Sequence, residues 1–273
     1  ERLFVVDKKR ILDLMGREKT EFKILQMYVY PVKGLPGVKV QSSIMDEYGM
    51  RFDRHCILLN EYGEMLTRRN TQGMADFKIE IKGDFFSIYS KRLGTEVEVL
   101  SDLVGQPVDI SVWDRIEVGR RVGEVFDEFM SDHFGKKVCG YQISKGAERA
   151  GFHDSAPILI CNLTSIKKVE ALENQEIGIM RFRPNLVVES LEAFEEINWD
   201  NIMIGGVNCM RSKLCARCIV INQNPESGEE DKNVLKLLRP FSPEANKVQF
   251  GVYYRPEGVV QLSVGDHIII NYK

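Results

Sequence analysis

From Phe22 onward glycine-bearing turns cut the chain into short apolar runs of strand length, and that rhythm limits it to a small set of β-rich folds. The runs cover residues 24–32, 38–45, 56–60, 77–81, 85–89 and 97–100. Short strands so spaced predict a small antiparallel barrel or sandwich. A helix follows, because Val122, Val125, Phe126, Phe129 and Met130 recur at three- and four-residue spacing and Gly135 is placed to stop it. In the second half, residues 157–161 read as a buried strand, Asn162 or Thr164 as the cap of a helix running to about Glu173, and residues 186–189 as another strand. Residues 250–254, 259–262 and 267–271 return to strands. The chain is thus mixed α/β and predominantly β, with a boundary between two strand-rich parts expected over residues 113–152. Ahead of them, residues 1–20 read as a short amphipathic helix or a tether, with Lys8-Lys9-Arg10 inside it.

A chain of 273 residues with 44% apolar content can bury a sizeable core, as one large domain or two unequal ones. Its net charge of −3 argues against nucleic acid held by bulk electrostatics. Six cysteines are scattered along it, not packed into a disulfide framework, which points to a reducing compartment. No apolar run approaches the roughly 20 residues a membrane helix needs, and no signal peptide is visible. The sequence starts at Glu1 and not at methionine, which leaves open a removed upstream segment and any anchor within it.

The chemistry concentrates around Cys215-Ala-Arg-Cys218. A redox dithiol of this spacing opens a helix after a strand, whereas here β-branched Ile219-Val220-Ile221 predict a strand with Cys218 at its mouth. Asn224-Pro225 with Gly228 then predict a turn. Zinc would need two more ligands at close spacing, and no second Cys or His pair supplies them. The plain alternative is a buried structural thiol. Cationic residues sit where loops meet strands: Lys33 between Val32 and Gly34, Arg54 just before a strand, and Arg181 and Arg183 ahead of Asn185. An ammonium beside a flexible backbone and arginine forks suit phosphate oxygens and the edge of a heterocycle, although any one of them alone reads equally as a solvated surface charge. His55 and His153 are candidate proton donors with no spacing motif, so a structural role competes for both. The glycine signatures of dinucleotide, nucleotide-triphosphate and hydrolase folds are absent.

Five pieces in order, Tyr30-Pro-Val-Lys-Gly34, Asp53-Arg54, Arg181-Phe-Arg-Pro-Asn185, Cys215-Ala-Arg-Cys218 with Asn224-Pro-Glu-Ser-Gly228, and Val264-Gly-Asp266, resemble the molybdenum cofactor sulfurase C-terminal (MOSC) family, above all its amidoxime-reducing branch. The resemblance implies a tether over residues 1–21, a MOSC-associated N-terminal β-barrel region over 22–140 and a MOSC domain built on a β-barrel over 141–273. It further implies a molybdenum cofactor whose metal is bound by Cys218, a soft ligand suited to a metal already held by sulfur. Lys33, Gly34, Arg54, Arg183 and Asn185 would hold phosphate and pterin, Asp154, Ser155 and Ala156 would supply loop contacts, Ala216 and Arg217 would flank the ligand, and Tyr253 would close the pocket. Two departures stand out. Gly34 follows the lysine where relatives often carry serine, and Asn224-Pro-Glu-Ser-Gly replaces the commoner Asp-Pro-x-Thr-Gly. The implied activity is reduction of N-hydroxylated compounds (amidoximes, N-hydroxyguanidines, hydroxylamines), with electrons from NADH through cytochrome b5 reductase and cytochrome b5. The implied setting is a monomer on the cytosolic face of the outer mitochondrial membrane, or in the cytoplasm without an anchor, and without nucleic acid. A non-catalytic carrier of the cofactor, or a barrel with a partner-binding role, are the alternatives.

Overall fold

The computed structural model describes residues 19–100, 105–143 and 151–271. The helix or tether expected at the start falls outside them, except that residues 19–21 already belong to the first strand, Lys19–Val29. The protein is predominantly β and contains a closed barrel of seven strands. Around the barrel run Leu186–Val188, Ile158–Asn162, Gln249–Pro256, Val207–Ala216, Ile202–Ile204, His267–Asn271 and Lys19–Val29. Closure comes from antiparallel pairing of Ile24 with Val188 and Met27 with Leu186. One strand from the beginning of the chain therefore completes a barrel whose other staves come from its second half.

Period-two alternation decides which side chains enter the barrel. Phe22, Ile24, Ile158, Ile160, Leu186, Val188, Val252 and Tyr254 pack inside it with Trp199. A register shift between Ile24 and Gln26 lets Met27 and Val29 point inward as well. The opposite phase, Tyr28, Tyr30, Leu159, Cys161, Val187, Cys215 and Phe250, forms a second cluster on the outside. Each fully buried aliphatic or aromatic side chain contributes roughly 1.5–3 kcal/mol, so both faces of these strands are fixed by burial. Strands Ile158–Asn162 and Leu186–Val188 are parallel, and parallel neighbours need a crossover. Helix Leu163–Glu173 lies in that connection, its start capped by the Asn162 side chain accepting from Thr164 N–H.

Smaller sheets flank the barrel. One contains Cys56–Asn60, Val138–Ile143, Arg115–Arg121 and Val108–Val112, and another Phe77–Lys82, Phe85–Ser90 and Thr95–Leu100. Residues 113–152, expected as a connection, therefore carry two strands of their own. The helix in that region is Glu124–Phe134, ended by Gly135 in the left-handed conformation. Val125 is 74% exposed, so its buried face is Phe126, Phe129, Met130 and His133 instead. The strand expected after Cys218 is a 3-10 turn, Ile219–Asn222, in which Ile221 N–H bonds to the Cys218 carbonyl. Cys218 follows a strand, Val207–Ala216, rather than opening one.

Candidate functional site

On the outer face of the barrel lies a cavity of about 330 Å³. Leu159, Asn185, Cys215 and Tyr253 line it from the barrel strands and their ends, and the loops carrying Lys33, Arg54 and Asp154 complete the wall. All twelve positions named from the sequence, Lys33, Gly34, Arg54, Asp154, Ser155, Ala156, Arg183, Asn185, Ala216, Arg217, Cys218 and Tyr253, line this one cavity. Among its described lining residues eight are lysine or arginine and one, Asp154, is a carboxylate. That imbalance sets a positive potential inside low-dielectric walls and selects for an anion.

The backbone at the cavity is bent to present these groups. Lys33 follows the bridge between Val32 and Cys56, and Gly34 takes φ +86 with Met74 where a Cβ would sit. Glycine takes this φ without the strain a side chain would meet, which suits it to the position where relatives often carry serine. The buried Lys33 ammonium donates to the Phe152 carbonyl at 2.8 Å and to Asp154 at 2.5 Å. Burial pulls Lys33 below its ordinary value. Burial also acts against the Asp154 charge, but Lys33 outweighs it and holds the carboxyl well below the usual range, so the pair is ionic. Phe52 and Arg54 both adopt left-handed backbone, φ 67 and 48, a strain found where geometry is fixed for function. It is held by Arg54 N–H on the Tyr30 carbonyl and Tyr30 N–H on the Asp53 carboxylate, both 2.8 Å.

Four guanidiniums differ in what neutralises them. Arg54 is paired with buried Asp53 at 2.6 Å, and Arg181 with Asp231 at 2.7 Å. Arg183 donates to the Leu35 carbonyl at 2.7 Å, and Arg68 to the carbonyls of Gly34 and Pro225. Among the described residues neither Arg68 nor Arg183 has a carboxylate partner. Burial, then Arg68 and Arg54, pull the Arg183 guanidinium down to about 9, and burial lowers Arg68 too. Arg54 and Arg183 both lie over the Tyr30 ring, 4.3 and 4.2 Å from its centroid, and the Tyr30 hydroxyl is buried without a hydrogen-bond partner. Two half-buried cations without carboxylate partners and an orphaned hydroxyl are what an anion would satisfy. Arg68 and Arg183 also form the wall shared with a neighbouring cavity of about 600 Å³.

The cysteines separate by environment. All six are free thiols. Cys215 is buried, and burial raises its thiol above the ordinary value; Cys161, beneath the cavity, is pushed up to about 12 by the same cause. Cys218 is half-exposed with extended backbone at the start of its 3-10 turn, which leaves its sulfur on the cavity wall as the ligand-accessible thiol of the three. Arg217 holds it there. Its guanidinium donates to the carbonyls of Phe250 (2.6 and 2.8 Å) and Phe182 (2.8 Å). Gly251 makes room, since a Cβ at its φ of +78 would meet the Ile160 carbonyl at 2.8 Å and Cys161 Sγ at 2.9 Å. Asn185 is likewise engaged, accepting from Leu159 N–H at 3.0 Å and donating to the Tyr28 carbonyl, so its service to the site is to fix Arg54, whose guanidinium it accepts at 3.3 Å. Tyr253 is half-buried, its hydroxyl raised well above the ordinary range by burial and by Cys215. His153 lines the cavity between Asp53 (3.4 Å) and the Tyr48 carbonyl (3.2 Å), and burial lowers it to about 4, so it is neutral near pH 7. His55 packs against Phe52, with ring centroids 6.1 Å apart.

The cavity also contains Thr67, Arg68, Arg69, Trp113 and Lys213, none of which the sequence singled out. Among the described residues no three His, Cys, Asp or Glu side chains gather as a metal cage. A metal here would depend on Cys218 and on donors brought by a cofactor.

Residues 21–137 match the MOSC N-terminal beta barrel domain and residues 147–269 the MOSC domain; with this cavity and barrel, the chain belongs to the MOSC-domain family. It is similar to mitochondrial amidoxime-reducing component 1 of Xenopus laevis, 26% identical over 90% of this chain and 81% of that protein. The component of the same name from Homo sapiens is 23% identical over 98% of this chain and 87% of its own. A molybdenum cofactor sulfurase of Drosophila ananassae is 23% identical over 91% of this chain but only 34% of that longer protein. No described helix is long and apolar enough to cross a membrane, which leaves membrane β-barrels aside.

Proposed function

We propose that this protein binds a molybdenum cofactor in the cationic cavity, with Cys218 as the protein ligand to the metal, and reduces N-hydroxylated compounds such as amidoximes, N-hydroxyguanidines and hydroxylamines. The observation that carries the reading is the pairing of an accessible free thiol, Cys218, with the uncompensated guanidiniums of Arg68 and Arg183 in the walls of one cavity. A pterin phosphate would neutralise those charges and accept from the Tyr30 hydroxyl. Lys33, the Gly34 backbone and Arg54 stand beside them, while Arg217 and Asn185 hold Cys218 and Arg54 in place through the contacts above. Similarity to amidoxime-reducing components and to a cofactor sulfurase supports the same chemistry.

When bound, the cofactor would supply two-electron N–O cleavage, in which an amidoxime with two electrons and two protons gives an amidine and water. The protein's part is to orient the N–OH group toward Cys218 and keep the cavity walls fixed. His153, neutral and locked between two acceptors, is a poor proton source at pH 7. Electrons would come from NADH through cytochrome b5 reductase and cytochrome b5, to a monomer on the cytosolic face of the outer mitochondrial membrane; the names of the relatives support the mitochondrial part of that proposal. The test is reduction of benzamidoxime by purified protein with a reconstituted cytochrome b5 chain. Turnover supports the reductase. Stoichiometric molybdenum without turnover identifies a cofactor carrier instead.

A further inference from the structure

Trp113 has no part in the scheme so far. Pairing of Val112 with Arg115 leaves Trp113 and Asp114 as the whole turn of a hairpin, and Trp113 takes the first turn position with φ +59. Glycine, asparagine or aspartate suit that conformation, whereas a bulky side chain is strained in it. The indole is 44% exposed, yet it lines the cavity. It is also fixed. Its Nε1 donates to Asp154 at 2.8 Å, the carboxylate that pairs with Lys33, and the Arg69 guanidinium lies 4.6 Å from its ring centroid. An aromatic plane is therefore held at the mouth of a polar cavity against the preference of its own backbone, and strain retained in this way marks a position that serves a ligand.

We propose that Trp113 is the stacking platform for the conjugated end of the substrate, so that the protein favours aryl N-hydroxylated compounds over small aliphatic ones. This rests on the reductase reading above. An offset stack needs an accessible, immobile ring; Asp154 and Arg69 supply the immobility and the 44% exposure the access, and a stacked aryl group would share the ring with the Arg69 and Lys33 cations, 4.6 and 5.9 Å from its centroid. The platform stands at the cavity mouth beside the Lys33–Asp154 pair, so a stacked aryl group directs its N–OH inward.

The experiment compares wild type, Trp113→Gly and Trp113→Phe, each loaded with molybdenum, for benzamidoxime and acetamidoxime. Glycine suits the positive φ, and the strain it relieves offsets part of the lost contacts with Asp154 and Arg69. The ratio of KM for benzamidoxime to KM for acetamidoxime is expected to rise about 5-fold in Trp113→Gly, the size of a stacking contact, and less than about 2-fold in Trp113→Phe, with equal molybdenum in all three. A second readout is independent of turnover. The chain has two tryptophans, and Trp199 is fully buried in the barrel, so saturable quenching by benzamidoxime that Trp113→Gly abolishes reports ligand at Trp113. An unchanged KM ratio overturns the proposal. So does loss of molybdenum in both variants with the ratio unaltered, which would make Trp113 a prop for Asp154. Should wild type reduce neither compound, the reductase reading fails, and the titration alone decides the platform: saturable quenching upholds it and no quenching overturns it.

Discussion

Replacing Arg183 by methionine should stabilise the protein lacking cofactor and strip it of most of its affinity for anions. The guanidinium is half-buried, has no carboxylate partner among the described residues, and is pulled down to about 9 by desolvation and by Arg68 and Arg54. Its folded value lies below its unfolded one, so the penalty is fully present at neutral pH, where both states are charged, and fades only as pH rises through 9. At about 1.4 kcal/mol per unit, the shift corresponds to roughly 5 kcal/mol as a ceiling. The variant also forfeits the hydrogen bond to the Leu35 carbonyl and the stacking on Tyr30, together about 2–3 kcal/mol. The net gain is then at most about 2 kcal/mol, in the direction seen where a poorly solvated charge gives way to an apolar isostere. For a chain of this size it raises Tm by up to about 5 °C. The assay is thermal unfolding of protein from cells unable to make the cofactor, with and without inorganic phosphate. Wild type should gain stability with phosphate, by about 2.7 kcal/mol at a hundredfold excess over Kd, and Arg183→Met should lose most of that response. A variant that melts lower than wild type and keeps the full phosphate response would refute the reasoning.

Asp53→Asn should cost about 3–5 kcal/mol in urea unfolding, because the carboxylate is 2% exposed and neutralises Arg54 while accepting from Tyr30 N–H; a loss under 1 kcal/mol would contradict its role. Glu196 is buried among Asn162 and Ser165, and burial raises it to about 7 from 4.5. Its folded form holds the proton more tightly, so stability should fall by up to roughly 3 kcal/mol as pH rises from 4.5 to 7, and Glu196→Gln should flatten that slope in pH-dependent unfolding. Gly251→Ala should destabilise by roughly 2 kcal/mol or more, from left-handed strain and the clash with the Ile160 carbonyl, and should lower cofactor retention by displacing Arg217; calorimetry with metal analysis reads both.

What the sequence revealed and hid follows from how locally each feature is encoded. Strands such as Cys56–Asn60 and Ile158–Asn162 are continuous apolar runs and were legible. Val207–Ala216 was not, because the consecutive polar residues Arg211-Ser212-Lys213 break its apolar alternation and resemble a loop. The β-branched residues after Cys218 pointed to a strand, but the chain must turn at the barrel's end, and burial of Ile221 in the outer cluster fixed a 3-10 turn in its place. The site residues in contiguous motifs could be named because the motifs carry them. Arg68 and Trp113 could not, since only the folding of distant loops onto the barrel brings residue 68 beside 183 and residue 113 beside 154. Gly34 reads as a departure from the family, and its φ of +86, set by the folded loop, is visible only in the structure.

The central claim is that Cys218 ligates molybdenum in this cavity, and X-ray absorption at the molybdenum edge on wild type and Cys218→Ser tests it most directly. The account predicts metal in wild type with one more sulfur neighbour than in the variant. Identical sulfur shells in the two proteins, or no molybdenum in wild type purified from cofactor-replete cells, would contradict it.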